Sequence, residues 1–544
     1  MTTPSDADAR FDRTIDRWFR DQLRLRPEVA TFLGIHEHDG DLSSGGRDAI
    51  DAEVDFFRST IDELSAIDPG ELTPERALDR DLAIHQARLG LYWQTEYRPW
   101  AGSSEAAGHI GEALFPLFTR DFAPLPQRLG SIASRLEAAP RYLEETRERV
   151  TDPVRVWTEI DLESTQMLPG FLDTILAAGR SEASGDEAQL DRLGAAVDRA
   201  KVALGEHESW LRDDVLPRAR ADWAAGPERF EEMLRLRELG AAGDEILAVG
   251  EELLASEKAA REAVCAEIDP GASPTEVADI VKDDHAATFP EALNEYREAM
   301  DRARAFVVEH DLATLPEEDY LNVIETPGFL RHLIPFAAYY EPAKFDASPV
   351  GTYIVTPPSS PDMMREHNRG SINNTSVHEA YPGHHLQLAA AITNPSLVRL
   401  FSGAPEFAEG WAFYCERMMK EAGFDDTPSG WYVVHTDAIW RATRIILDVQ
   451  LHRGLVGFDE AVDRLVAETG FERPAALAEI KRYTSTPTYQ LSYLFGRHMI
   501  ERLKADVEAS EGAHFSRRRF HDTLLSGGTM PVSYARRLFE GIHR

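Results

Sequence analysis

Only two cysteines, Cys265 and Cys415, occur in 544 residues. They are too few and too far apart to build a disulfide scaffold or a cysteine-ligated zinc site, so any metal here must be held by histidine and carboxylate. Lysine is scarce too, with seven among 58 basic residues. Against 94 acidic residues this leaves a formal charge of −36, a sign that repels phosphate backbones and anionic lipid. Neither a nucleic-acid partner nor a membrane partner is expected, and the plain reading of the acidity is solubility. No apolar stretch reaches the ~20 residues of a membrane helix. The first eight residues lack the basic start and apolar run of a secretory signal. These absences set the expectation of a cytoplasmic protein.

The composition that remains, 43% hydrophobic and 28% charged, is that of a folded globular chain. Most of it has helical periodicity. Phe289, Leu293, Tyr296, Met300, Ala303 and Val307 recur at steps of three and four, which predicts a long amphipathic helix, and Leu129, Ile132 and Leu136 repeat the spacing. Pro217 and Gly226-Pro227 punctuate further periodic stretches as helix connections do. Strand signals are few, the clearest being the β-branched run from Gly351 to Thr356, closed by Pro357-Pro358. A strand there is suited to pair with an extended substrate, or else to form an ordinary structural hairpin. The expected fold is mainly α, a large helical two-lobed body with a small β element beside an active-site cleft. A mild composition shift near Gly240-Gly243 divides an N-terminal helical lobe, 1–245, from a C-terminal catalytic lobe, 246–544.

The chemistry concentrates in His378-Glu379-Ala380-Tyr381-Pro382-Gly383-His384-His385. Hydrolytic zinc sites commonly use His-Glu-x-x-His on a helix, because positions i and i+4 share a face one turn apart. Here proline stands where the second histidine belongs. On a straight helix His384 would lie ~9 Å and His385 ~10.5 Å along the axis from His378. Neither pair could grip one ion whose nitrogen ligands lie at ~2.0–2.1 Å, so the helix must be deformed. Pro382 lacks the amide that would bond to the carbonyl of His378, and Gly383 can take positive φ and let the chain bulge. Looping out two residues returns His384 to the i+4 place. His378 and His384 are the expected ligands, with His385 as the alternative second one. Glu409, on another predicted helix downstream, is the expected third, with Glu406 and Glu416 competing by spacing alone.

This block to Gln387, followed by Glu409-Gly410-Trp411-Ala412, resembles the bacterial family catalogued as domain of unknown function 885. Arg441 to Arg444 through Asp448 and His452, and Tyr483 through Pro487, Gln490, Tyr493 and Gly496, are similar as well. The resemblance implies a helical, zincin-like (gluzincin-type) protein, similar in layout to the thimet-type oligopeptidases and carboxypeptidase Taq. It implies Zn2+ on two histidines and a glutamate, with Glu379 as general base and Glu409 as third ligand. It also favours Tyr493 as the donor that stabilises the developing oxyanion. Thr488-Tyr489 departs from the family, which commonly has Gly-Gln or a small residue after the proline.

The expected activity is therefore that of a zinc-dependent hydrolase cleaving short peptides, with Glu379 passing a proton from water to the leaving amine. A non-peptide amide hydrolase, or a binding protein with a structural metal, is the alternative. Tyr489, Tyr483 and His452 are further candidate donors, each with a core role as its ordinary alternative. His385 is expected to support the site or bind substrate. Arg444 and Asp448, four apart on one helix, are spaced for a structural ion pair beside it.

Overall fold

The computed structural model describes residues 6–182, 187–317, 319–326, 331, 334 and 336–540. Two compact units emerge, Met1–Trp223 with Ala343–Ser348, and Ala224–Pro342 with Pro349–Arg544. Both are mainly α.

In the first unit the helix Leu125–Arg149 buries Leu129, Ile132 and Leu136 as their spacing predicts, and it continues through Pro140. Polar order is supplied by groups such as Glu28, which accepts the Ser43 N–H at 2.7 Å and lies 3.3 Å from His109 Nε2. Burial alone would raise the Glu28 carboxyl, but these bonds bring it down to about 2.

The second unit carries every candidate residue for the chemistry. The helix Phe289–Glu309 forms with Leu293, Tyr296, Met300, Ala303 and Val307 all buried. The composition shift at Gly240-Gly243 lies inside this unit. Phe230, Leu234 and Leu239, just before it, pack into one core cluster with Ile246, Phe413, Ile445 and Leu494, which ties residues 227–242 to the rest of the unit.

A three-stranded sheet accompanies these helices: β1 Leu321–Glu325, β2 Ala337–Tyr340 and β3 Gly351–Val355, in the order β1-β3-β2. β3 runs parallel to β1 and antiparallel to β2. The β-branched run is thus a strand, but a central one. Both its edges are taken, so its backbone has no free donors for a substrate strand, and that expectation is corrected. Tyr339 and Tyr353 are directly paired across β2 and β3, so their side chains share one face of the sheet.

Candidate metal centre

His378 and Glu379 end the helix Arg369–Glu379, whose first turn is capped by Asn368 accepting the Ser371 N–H at 2.9 Å. The chain leaves the helix at Ala380, passes a cis Tyr381–Pro382 bond and enters a second helix, His384–Ala391. A clean break between two helices therefore replaces the expected bulge. Gly383 also differs from expectation, with φ −68 rather than a positive value. Glycine is required there by space: a Cβ would stand 1.8 Å from the His378 carbonyl oxygen. Trp411 Nε1 donates to the Pro382 carbonyl at 2.8 Å and fastens the turn to the helix Pro405–Glu421.

The turn sets the His378 and His384 rings edge to face, with centroids 4.8 Å apart. Glu409, from the helix Pro405–Glu421, completes the group, its Oε2 lying 3.7 Å from His378 Nε2 and 3.3 Å from His384 Nε2. These three are the group of potential ligands found among the described residues, with donor atoms all within 4.8 Å of one another. Two ligands held ~2.0–2.1 Å from one tetrahedral ion are about 3.3 Å apart, so the spacing and the N, N, O donor set fit zinc.

The surroundings orient the donors. His378 Nδ1 lies 2.6 Å from Glu416, which also accepts from Asn374 at 2.9 Å, so the Nδ1 proton is taken and Nε2 faces the group. Burial would lower His378, but bonds to Glu409 and Glu416 push it up to about 10 without a metal. Glu409 is held well below the usual carboxylate range: burial opposes this, and the two histidines outweigh it. Glu406 is not part of the group, since it binds Arg237 at 2.5 Å. Glu416 serves as the partner of His378 instead of as a third ligand.

Glu379 is half-buried; burial first, and to a smaller extent the Glu379 charge, raises the hydroxyls of Tyr339 and Tyr353. The group faces Tyr489 and Tyr493. The Tyr489 hydroxyl donates to Glu409 Oε1 at 3.4 Å, and burial followed by the Glu409 charge keeps both tyrosines protonated far above neutrality. A close helix crossing brings them there. A Cβ on Gly410 would stand 2.5 Å from Gly496, and one on Gly496 would stand 2.2 Å from the Glu406 carbonyl oxygen. Only glycine at both places lets the helix Leu494–Glu511, which starts just after Tyr493, approach so near.

The remaining candidates lie outside the donor group. His385 turns away, its nitrogens on Asp319 and Tyr339. His452 bonds the Tyr483 main-chain carbonyl at 2.9 Å and is pushed down to about 4 by burial, and both residues are fully buried in the core. Arg444 does not pair with Asp448. It donates to Gln490 at 2.8 Å and lies 4.2 Å over the Tyr493 ring, while burial drives the Asp448 carboxyl upward. Sequence reasoning missed Asn374, although it stands four residues before His378 on the same helix face. It also missed Arg237, which donates to the carbonyl of Thr488, and Asp319 and Tyr339, for which no local pattern gives a signal.

Fold and site together define a mainly helical protein with a partly buried two-histidine, one-glutamate group. The family model described as "Bacterial protein of unknown function (DUF885)" matches residues 27–538, and the chain belongs to that family. No curated protein matches it. Among solved structures, one from Shewanella oneidensis, described as "a putative lipoprotein of unknown function", is similar with a TM-score of 0.80 and 23% identity, over 97% of this chain and 99% of that one. "The putative lipoprotein from Colwellia psychrerythraea" gives 0.85 and 17%, over 98% and 99%. At these identities the likeness is one of fold. The expectation of a cytoplasmic location stands against these descriptions, which call both of those proteins putative lipoproteins.

Proposed function

We propose that this protein is a zinc-dependent hydrolase of the zincin-like metallopeptidase type, acting on short peptides. The observation that carries the reading is the convergence of His378, His384 and Glu409 beside a glutamate that directly follows the first ligand. Three protein donors, against the four of a closed structural site, favour a catalytic metal over a structural one. Zinc held there would supply a Lewis acid that polarises a carbonyl and makes water more acidic. Glu379 accepts the proton of the attacking water and hands it to the leaving amine. Tyr489 and Tyr493, both kept protonated, donate to the oxygen on which negative charge develops, with Tyr493 favoured by family resemblance. Glu416 and Asn374 hold His378 in the tautomer that presents Nε2.

The test is metal analysis with turnover of a peptide library. The purified protein should carry about one zinc per chain, and Glu379→Gln should retain it while losing roughly 10²–10⁴-fold in turnover. Unchanged turnover in Glu379→Gln, or failure of the wild type to bind zinc, sinks the reading. Turnover of simple amides in place of peptides would move the substrate class and leave the chemistry standing.

A further inference from the structure

Arg441, on the helix Pro428–His452, uses only part of its guanidinium. Nη1 donates to Asp437 Oδ1 at 3.2 Å, and the side chain keeps 14% exposure. The other edge, Nε with Nη2, meets no acceptor among the described residues, although Nε is buried. Buried N–H groups are nearly always bonded, so an acceptor from outside the chain would complete this one. Contacts on two sides fix where the guanidinium lies. Asp437 also accepts from Asn374 Nδ2 at 3.2 Å, and that nitrogen donates to Glu416 at 2.9 Å, whose other oxygen lies 2.6 Å from His378 Nδ1.

On the other side, Arg441 Cζ lies 5.5 Å from the ring of Phe413, one turn beyond Glu409, and 5.8 Å from the ring of Tyr493. Tyr493 stands edge to face with Tyr489 at 6.2 Å, and Tyr489 reaches Glu409 Oε1 at 3.4 Å. Arg441 is thus beside the donor group, between the partners of His378 and the tyrosines that face Glu409. Arg444 adds a second cation. Its Cζ lies 4.2 Å over the same Tyr493 ring, it is 2% exposed, and it bonds the neutral Gln490 without pairing with any carboxylate among the described residues. Two guanidinium groups therefore flank Tyr493, with Asp437 as their one ion-pair partner among those residues. A chain of charge −36 repels anions, so a local excess of positive charge beside the donor group suits a negatively charged part of the ligand.

We infer that Arg441 recognises a carboxylate of the substrate, its Nε and Nη2 gripping the two oxygens side-on while the scissile bond lies at the donor group. The planar guanidinium edge matches a carboxylate in spacing as well as charge. The inference rests on the reading of this site as a peptide-cleaving one, and it narrows the substrates to peptides with a free carboxylate near the cleaved bond. Two groups supply one, the chain terminus and an acidic side chain. An arginine present only to hold Asp437 would instead affect all ligands alike.

The test compares dissociation constants for tetra-alanine, its C-terminal amide, and amides in which one alanine at a time is replaced by glutamate. They are measured on zinc-loaded protein in the Glu379→Gln background, where turnover is suppressed. At least one carboxylate form should bind about 10–100-fold more tightly than tetra-alanine amide, and Arg441→Gln should erase that preference by weakening the carboxylate form. Loss of preference in the tetra-alanine arm assigns the chain terminus, and loss in a glutamate arm assigns an acidic side chain at that position. A thermal melt establishes folding, and if Arg441→Gln does not fold, Arg441→Lys, which keeps a cation for Asp437 but removes the paired edge, decides by the same comparison. Equal weakening of every peptide, no preference for any carboxylate form, a preference unchanged by the substitution, or no binding of any probe overturns the inference. A preference that depends on Arg441 without turnover in the Glu379 form sinks the hydrolase reading alone, and turnover without such a preference sinks only this one.

Discussion

Gly383 illustrates how one atom governs the centre. A methyl group there would collide with the His378 carbonyl, and backbone cannot step aside as a flexible side chain can. Gly383→Ala should therefore cost about 3 kcal/mol or more and lower zinc occupancy with it, checked by denaturant melts and metal analysis. Glu416 acts more gently, through the far nitrogen of His378. Glu416→Gln should fold normally and lose roughly 10–100-fold in zinc affinity, read by competition with a chromophoric chelator. An unchanged affinity would show that Glu416 does not orient the ligand.

At the scale of elements, the helices Pro405–Glu421 and Leu494–Glu511 cross at the Gly410–Gly496 contact. Gly410→Ala should destabilise the protein by about 1–3 kcal/mol and draw Tyr493 away from Glu409, seen as a lower melting temperature and reduced turnover. The loop that leads into the second helix is constrained as well. Thr488 is buried in the left-handed region, φ +68, unusual for a β-branched residue, and Arg237 grips its carbonyl. The same guanidinium holds Glu406, one turn before Glu409. Replacing Arg237 with methionine leaves a buried carboxylate unpaired, and a loss of about 3–5 kcal/mol is expected in chemical denaturation.

For the whole molecule, acid sensitivity can be assigned to a particular group. Glu28 sits at about 2 in the folded first unit against an ordinary 4.5, a depressed value. Its contribution is complete above pH 4.5 and is lost as pH falls toward 2, amounting to about 3 kcal/mol. The stability of Glu28→Gln should therefore fall less steeply than that of the wild type across that window, measured by denaturation at stepped pH. The charge of −36 adds a self-repulsion that salt screens, but its effect is spread over the surface. Full-length likeness to structures of only 17% and 23% identity shows how far this architecture tolerates substitution outside such points.

By itself the sequence determined the helical character, through apolar spacing that burial follows closely in Leu293, Tyr296 and Met300. It also determined that the helix must be deformed between His378 and His384, because helix geometry forbids the pair otherwise, though it pictured a bulge where the structure has a break. What it could not decide was set by contacts made through space. Gly383 takes an ordinary φ because the constraint on it is the crowding carbonyl of His378, not its own dihedral. β3 is central because β1 and β2 close on both its sides. Glu406, Glu409 and Glu416 share one helix, and spacing treats them nearly alike. Only the tertiary structure gives them separate partners in Arg237, the two histidines and the far nitrogen of His378, since each carboxylate goes where a cation or N–H donor from another element is waiting.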